Sequence, residues 1–215
     1  MVIPRDIVES QTPQVVRFYD RWAAYMYANV DFNMPDSPIH AKPHCERVLL
    51  HALRIADRMM PGDDEAFEIL AHASVFHDTR RFDEFLDTGH GARAAVNYEA
   101  FCREHPEVEF RPEAVFLMRY HDLDDSKGVK AIRQWFGEGS PRVELLYAIF
   151  KDSDALDRWR LGDCGLDPRY LRTEAARKDV EFARRLVGLT MDAGFLQEID
   201  RLVKESMGRN HGADK

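Results

Sequence analysis

Apolar positions recur at threes and fours along most of the chain, with charged residues filling the gaps. In 44–60, Val48, Leu49, Ala52, Ile55 and Ala56 share one face. In 64–79, Phe67, Leu70, Ala71, Ser74, Val75 and Phe76 do the same after an acidic start at Asp63-Asp64-Glu65. Ala114, Leu117, Met118 and His121 continue the spacing in 113–121, and Leu146, Ile149, Phe150 and Ala155 in 142–161. This period predicts amphipathic helices, and acidic first turns complement the helix dipole. The prolines, at 4, 13, 35, 38, 43, 61, 106, 112, 141 and 168, bound the blocks. Helix interiors exclude proline, whereas first turns accept it. Alternating β-branched runs and Asn-Gly turns are missing. The pattern predicts an all-α fold of about eight to ten helices. One domain is expected over 1–207, with an irregular connection at 80–92, C-terminal helices in 169–207 and a frayed tail at 208–215.

Composition narrows the function. At 215 residues the chain has the length of one domain, and 45% apolar with 32% charged residues describes a globular protein. The longest unbroken apolar run, Trp22 to Ala28, falls well short of the ~20 residues of a membrane span. The start, Met-Val-Ile-Pro-Arg-Asp-Ile, lacks the basic and apolar regions of a secretory signal. Cys45, Cys102 and Cys164 have no CxxC spacing, so buried free thiols in a reducing cytoplasm are expected. With 30 basic against 38 acidic residues, net −8, the chain lacks the basic surplus that long nucleic acid requires. A small anionic substrate remains compatible, because a few local cations or a metal ion can hold it.

The chemistry lies in histidine and aspartate. His77-Asp78 ends the apolar run Ile69 to Phe76, where a charged pair is expensive to bury without a partner. A metal cation is such a partner, binding neutral imidazole and carboxylate directly; a turn reaching solvent is the alternative. His44 opens a helix after Pro43, on one face with Val48, His51 and Ile55. Asp154 lies on an apolar stripe with Phe150 and Tyr147; a helix break at Asp152-Ser153 with Asp154 as N-cap is its alternative.

The order His44, His77-Asp78, Asp154 on a helical background resembles the HD-domain superfamily of metal-dependent phosphohydrolases. The pieces that carry the resemblance are His44-x-x-Arg47-Val48, the run into His77-Asp78, and the stretch Asp152 to Asp157. They cover about 40–160. The resemblance implies a single helical HD-type domain with His44, His77, Asp78 and Asp154 as metal ligands. Asp152 is the fallback for the last ligand. His77-Asp78-Thr79-Arg80-Arg81-Phe82 is similar to the His-Asp-x-Gly-Arg-Phe form of some small members, with Arg80 where glycine often stands. It maps a phosphate-contacting role onto Arg81.

His90 and His121 complete the order of dinuclear members. The resemblance implies for them either a second metal or a substrate phosphate. Arg47 and Lys151 are further candidates for substrate binding or for supporting the ligands, and Asp122 or Asp157 for orienting a ligand histidine. His40 is expected at the surface, and His51, His72 and His105 as structural or exposed. The implied activity is hydrolysis of a small phosphomonoester or phosphodiester, a nucleotide being the expected class. It would use water activated by one or two divalent ions (Mn, Mg, Co, Ni, Zn or Fe), with Asp78 and Arg81 as catalytic residues. A His/Asp di-iron oxygenase and a non-catalytic regulatory module of the same fold are the alternatives. Segments 1–35 and 165–215 are candidates for capping the site or for a homodimer interface.

Overall fold

Helices begin where the sequence supplies a cap or a proline. The computed structural model describes residues 1–210, with side chains to residue 205. After the short α1 (Arg5–Glu9), Thr12 accepts a hydrogen bond from the Val15 N–H and Pro13 follows it, starting α2 (Pro13–Asn29). Asp63 accepts from the Ala66 N–H at the head of α4 (Asp64–Phe76). Pro43, Pro112 and Pro141 sit in the first turns of α3 (Lys42–Met59), α6 (Pro112–Tyr120) and α8 (Ser140–Leu156). The remaining helices are α5 (His90–Glu104), α7 (Asp125–Phe136), α9 (Glu174–Arg177), α10 (Val180–Thr190) and α11 (Ala193–Asn210). The fold is all-α, and the described residues contain no strand. None of their helices is long and apolar enough to cross a membrane.

Several boundaries differ from expectation. The helix expected over 64–79 ends at Phe76, with His77 and Asp78 in the turn after it. The helix expected over 142–161 is α-helical to Leu156 and tightens to a 3-10 turn over Asp157–Leu161. It has no break at Asp152-Ser153, so Asp154 is not an N-cap. α11 continues to Asn210, into the expected tail; His211 and the rest of that tail lie outside the described residues.

α3 is the centre, packed against α2, α4 and α8. It is buried on every side from His44 to Leu53, so its polar residues require partners. Glu46 accepts from the Val2 and Ile3 N–H groups and from the Tyr19 and Tyr27 hydroxyls, which fastens the N-terminal segment to the core. His51 lacks a hydrogen-bond partner at either ring nitrogen; burial pushes its pKa down to about 4, so it is a neutral core ring. The C-terminal segment is fastened by carboxylates. Asp152 accepts from the N–H groups of Arg172 and Thr173 and from the Thr173 hydroxyl. Asp179 takes both Arg54 and Arg58 of α3. Cys45 and Cys102 are buried as expected, but Cys164 is exposed in the loop after the 3-10 turn.

Candidate metal centre

Five helix ends converge on Asp78. His44 lies in the first turn of α3, His77 caps the C-terminus of α4, His90 is the first residue of α5, His121 caps α6, and Asp154 is near the end of α8. Gly91 permits the approach of α5 to α6. A Cβ there would lie 2.3 Å from the Met118 carbonyl oxygen and 2.8 Å from His121 Nδ1. Asp122 adds a clamp by accepting from the Gly89 N–H at 2.5 Å.

Four imidazoles are oriented by oxygen atoms at Nδ1. His44 Nδ1 meets Asp157 Oδ2 at 2.7 Å, His77 the Ser74 carbonyl at 2.9 Å, His90 the Asp87 carbonyl at 2.7 Å, and His121 the Met118 carbonyl at 2.7 Å. These oxygens only accept, so Nδ1 carries the hydrogen and a neutral ring presents a bare Nε2 lone pair. Those lone pairs face each other: His44 and His77 Nε2 are 3.1 Å apart, and His90 and His121 Nε2 are 2.8 Å apart. Two acceptors at such distances require a proton or a cation between them.

Asp78 stands between the two pairs. Its Oδ2 is 3.5 Å from His44 Nε2 and 4.0 Å from His77 Nε2, while its Oδ1 is 3.2 Å from His90 Nε2 and 3.8 Å from His121 Nε2. Asp154 Oδ1 reaches to 3.4 Å from His44 Nε2. The donor set, histidine nitrogen with carboxylate oxygen, suits a divalent transition ion. The ligand atoms of His44, His77 and Asp154, of His77, Asp78 and His121, and of His40, His44 and Asp78 each lie close enough to share an ion, and those of Asp78, His90 and His121 lie within 3.8 Å of one another.

The electrostatics keep the carboxylates charged. Burial acts to raise the Asp78 carboxyl, but the surrounding imidazoles hold it well below the usual range. Asp154 behaves alike, with His44 outweighing burial. Burial pushes His77 down to about 3, leaving it neutral and ready to ligate. At His121 burial also acts downward, but Asp78 and Asp154 outweigh it and raise its pKa.

The remaining expected site residues divide. Arg81 lies beside the second group: its Nη1 is 3.2 Å from both His90 ring nitrogens and 3.9 Å from Asp78 Oδ1. Arg47 is corrected. It is fully buried behind His44 and spends its Nε and Nη2 on Asp157 at 2.6 and 3.0 Å, so it faces no substrate. Asp157 thus joins Arg47 to His44. Lys151 donates to the His121 and Leu123 carbonyls at 2.9 and 2.7 Å, holding the end of α6. Asp152, the fallback ligand, is occupied with Arg172 and Thr173 and takes no part. Arg80 stands where the resemblance often places glycine, yet no non-glycine residue among the described residues, Arg80 included, has positive φ.

Two groups escaped sequence reasoning. His40 is buried, not superficial, with Nδ1 3.0 Å from Asp78 Oδ2. Its spacing from His44, one helical turn, was the available signal, but His40 lies in the turn before α3 begins at Lys42. Arg160 is buried too. It donates through Nε to the Ile39 carbonyl beside His40, and its Nη1 has no hydrogen-bond partner.

The cluster opens at Asp154, whose side chain is 27% exposed while that of Asp78 is 3% exposed. Asp154 and His121 line a cavity of about 220 Å³ together with Lys151, Arg158, Tyr170 and Arg172. Three larger hollows, beside Arg17, beside Phe82 and beside Trp159, share no residue with the cluster. Comparison of the chain with protein-family models, with curated proteins and with solved structures finds no match.

Proposed function

We propose that the protein is a metal-dependent phosphohydrolase of the HD type that acts on a small phosphate ester with two divalent ions sharing Asp78. The observation that carries this reading is the pair of facing imidazoles on each side of one buried carboxylate. His44, His77, Asp78 and Asp154 would hold one ion, and Asp78, His90 and His121 the other. Such ions supply Lewis-acid polarisation of the phosphoryl oxygen and lower the pKa of water from 15.7 toward about 7.

The chain's own residues do the rest. Asp157 keeps the hydrogen of His44 on Nδ1 and so aims Nε2 inward. Backbone carbonyls do the same for His77, His90 and His121. Arg81 is anchored by the Phe85 carbonyl at 2.7 Å and offers a fixed positive charge to phosphoryl oxygens. Apart from Asp154 the ligands are buried, which limits competing water.

Elemental analysis of untagged protein purified without chelator tests the reading, with near two equivalents per chain expected. Asp78→Ala should lose metal and activity while keeping its helical circular dichroism. Arg81→Ala should keep metal and lower turnover on a small phosphomonoester by about a hundredfold. Near one equivalent would assign His90 and His121 to the substrate phosphate. Two equivalents of iron with oxygen consumption would move the reading to an oxygenase. No uptake of any added divalent ion would end it.

A further inference from the structure

We propose that the cavity beside Asp154 is a second-anion subsite. It selects small phosphomonoesters whose leaving group carries another carboxylate or phosphate, and Arg158 recognises that group. The proposal rests on the phosphohydrolase reading of the metal centre. The cavity shares Asp154 and His121 with the cluster, so an ester with its phosphate at the cluster extends its leaving group here. The volume is about 220 Å³. That is roughly seven water volumes at ~30 Å³ each and is below the ~300 Å³ at which pockets for drug-sized ligands begin. It suits a leaving group of a few carbons and not an oligonucleotide.

Three cations line the cavity, and two are already neutralised. Lys151 lies 3.0 Å from Asp125 Oδ1 in addition to its two carbonyl partners. Arg172 binds Asp125 through Nε and Nη2 and Asp152 through Nη1. The acidic wall residue Asp167 is matched by Arg169. Arg158 differs. Its Nε donates to the Gly165 carbonyl at 2.7 Å, and among the described residues its two terminal nitrogens have neither a hydrogen-bond nor an ion-pair partner. A guanidinium with both terminal nitrogens open matches the two oxygens of a carboxylate or phosphate.

The turn that aims Arg158 is built for the purpose. Gly165 N–H donates to the Gly162 carbonyl at 2.9 Å, and Gly162 has φ +90°. A Cβ at Gly165 would stand 2.1 Å from the Arg158 carbonyl oxygen. Only glycine lets the turn close on Arg158 and place its own carbonyl against Nε.

The test uses 3-phosphoglycerate and glycerol 3-phosphate as their phosphonate analogues, in which a methylene replaces the bridging oxygen so that the metal-loaded chain cannot hydrolyse them; the two match in size and phosphorus group and differ in the carboxylate. Titration calorimetry of the full chain in excess Mn²⁺ should give about tenfold tighter binding of the 3-phosphoglycerate analogue, or ~1.4 kcal/mol. Arg158→Met should bring the two probes to within about twofold, as one oxyanion contact is lost. Arg158→Lys, which keeps the charge but not the fork, should retain part of the preference. Gly165→Ala should mimic Arg158→Met; because Arg158 is exposed, its own replacements test the idea even where the glycine variant folds poorly. Equal affinities in the unaltered protein, binding of neither probe, or a preference that survives Arg158→Met would each overturn the subsite. A chain that takes up no metal overturns the phosphohydrolase reading instead, and the same two probes titrated without metal then judge the subsite alone.

Discussion

Asp157 does two tasks with one carboxylate. One oxygen orients His44, and both bind the fully buried Arg47. Arg47 and His44 outweigh burial and keep its carboxyl well below the usual range. The two tasks separate by substitution. Asp157→Asn keeps the shape but loses the charge behind His44, and metal affinity should fall about 10- to 100-fold in a competitive chelator titration. Asp157→Ala also strands Arg47 without a partner, so urea unfolding should show a further loss of about 3–5 kcal/mol. At this scale much of the centre was legible from the chain. His44, His77, Asp78, His90, His121 and Asp154 are brought together because each lies where a helical period places it at a helix end. Which cations face outward was not legible. Arg47 is turned away from solvent by Asp157, and Lys151, at the cavity wall, is held by two carbonyls; these partners are distant in sequence, and no local pattern encodes them. His40 stayed hidden because it belongs to a turn, where periodicity says nothing about direction.

Between elements, carboxylates do the joining. Glu46 ties residues 2 and 3 and two tyrosines to α3, Asp152 ties the strand-like 171–173 segment to α8, and Asp179 ties α10 to α3. The segments 1–35 and 165–215 are ambiguous from amphipathicity alone, since an apolar stripe does not say what covers it. Their attachment is set by these long-range pairs. Asp179 gives the clearest pH signature. Burial acts to raise its carboxyl, but Arg54 and Arg58 outweigh this and lower it below the unfolded value of about 3.9. A depressed carboxyl contributes stability that is complete above the unfolded pKa and is lost as pH falls through the folded one. Urea denaturation should therefore show stability declining below about pH 4. Asp179→Ala should flatten that decline and cost about 3 kcal/mol at neutral pH, near the lower end for a buried pair because Arg58 can turn to water.

For the molecule as a whole, the proposed metal centre would make folding and ion binding one equilibrium. The helices that carry ligands are the ones that form the core, so an ion bound only by the native state stabilises all of them by mass action. Thermal unfolding should rise with added divalent metal, by about 2.7 kcal/mol at a hundred times the dissociation constant. Uptake should also release protons. The carboxylates around His121 raise its pKa, so the metal-free ring holds a proton to higher pH than an ordinary histidine, and ligation requires the neutral ring. Proton release followed with an indicator in weak buffer should be largest where His121 is still charged and vanish as pH rises through its pKa; affinity should climb over the same window. In the two-ion reading proposed above, the number of ions is set elsewhere, by a residue that binds none. Gly91 lets α5 reach α6 closely enough for His90 to meet His121, and the atoms nearest a Cβ there belong to Met118, His121 and Asp122, on the side of the second pair. Gly91→Ala should leave one equivalent of metal and remove the other, measured per chain by elemental analysis. On that reading a single methyl group separates a one-ion centre from a two-ion centre with every ligand still in place, so a census of ligands along a sequence is not a census of the ions it would carry.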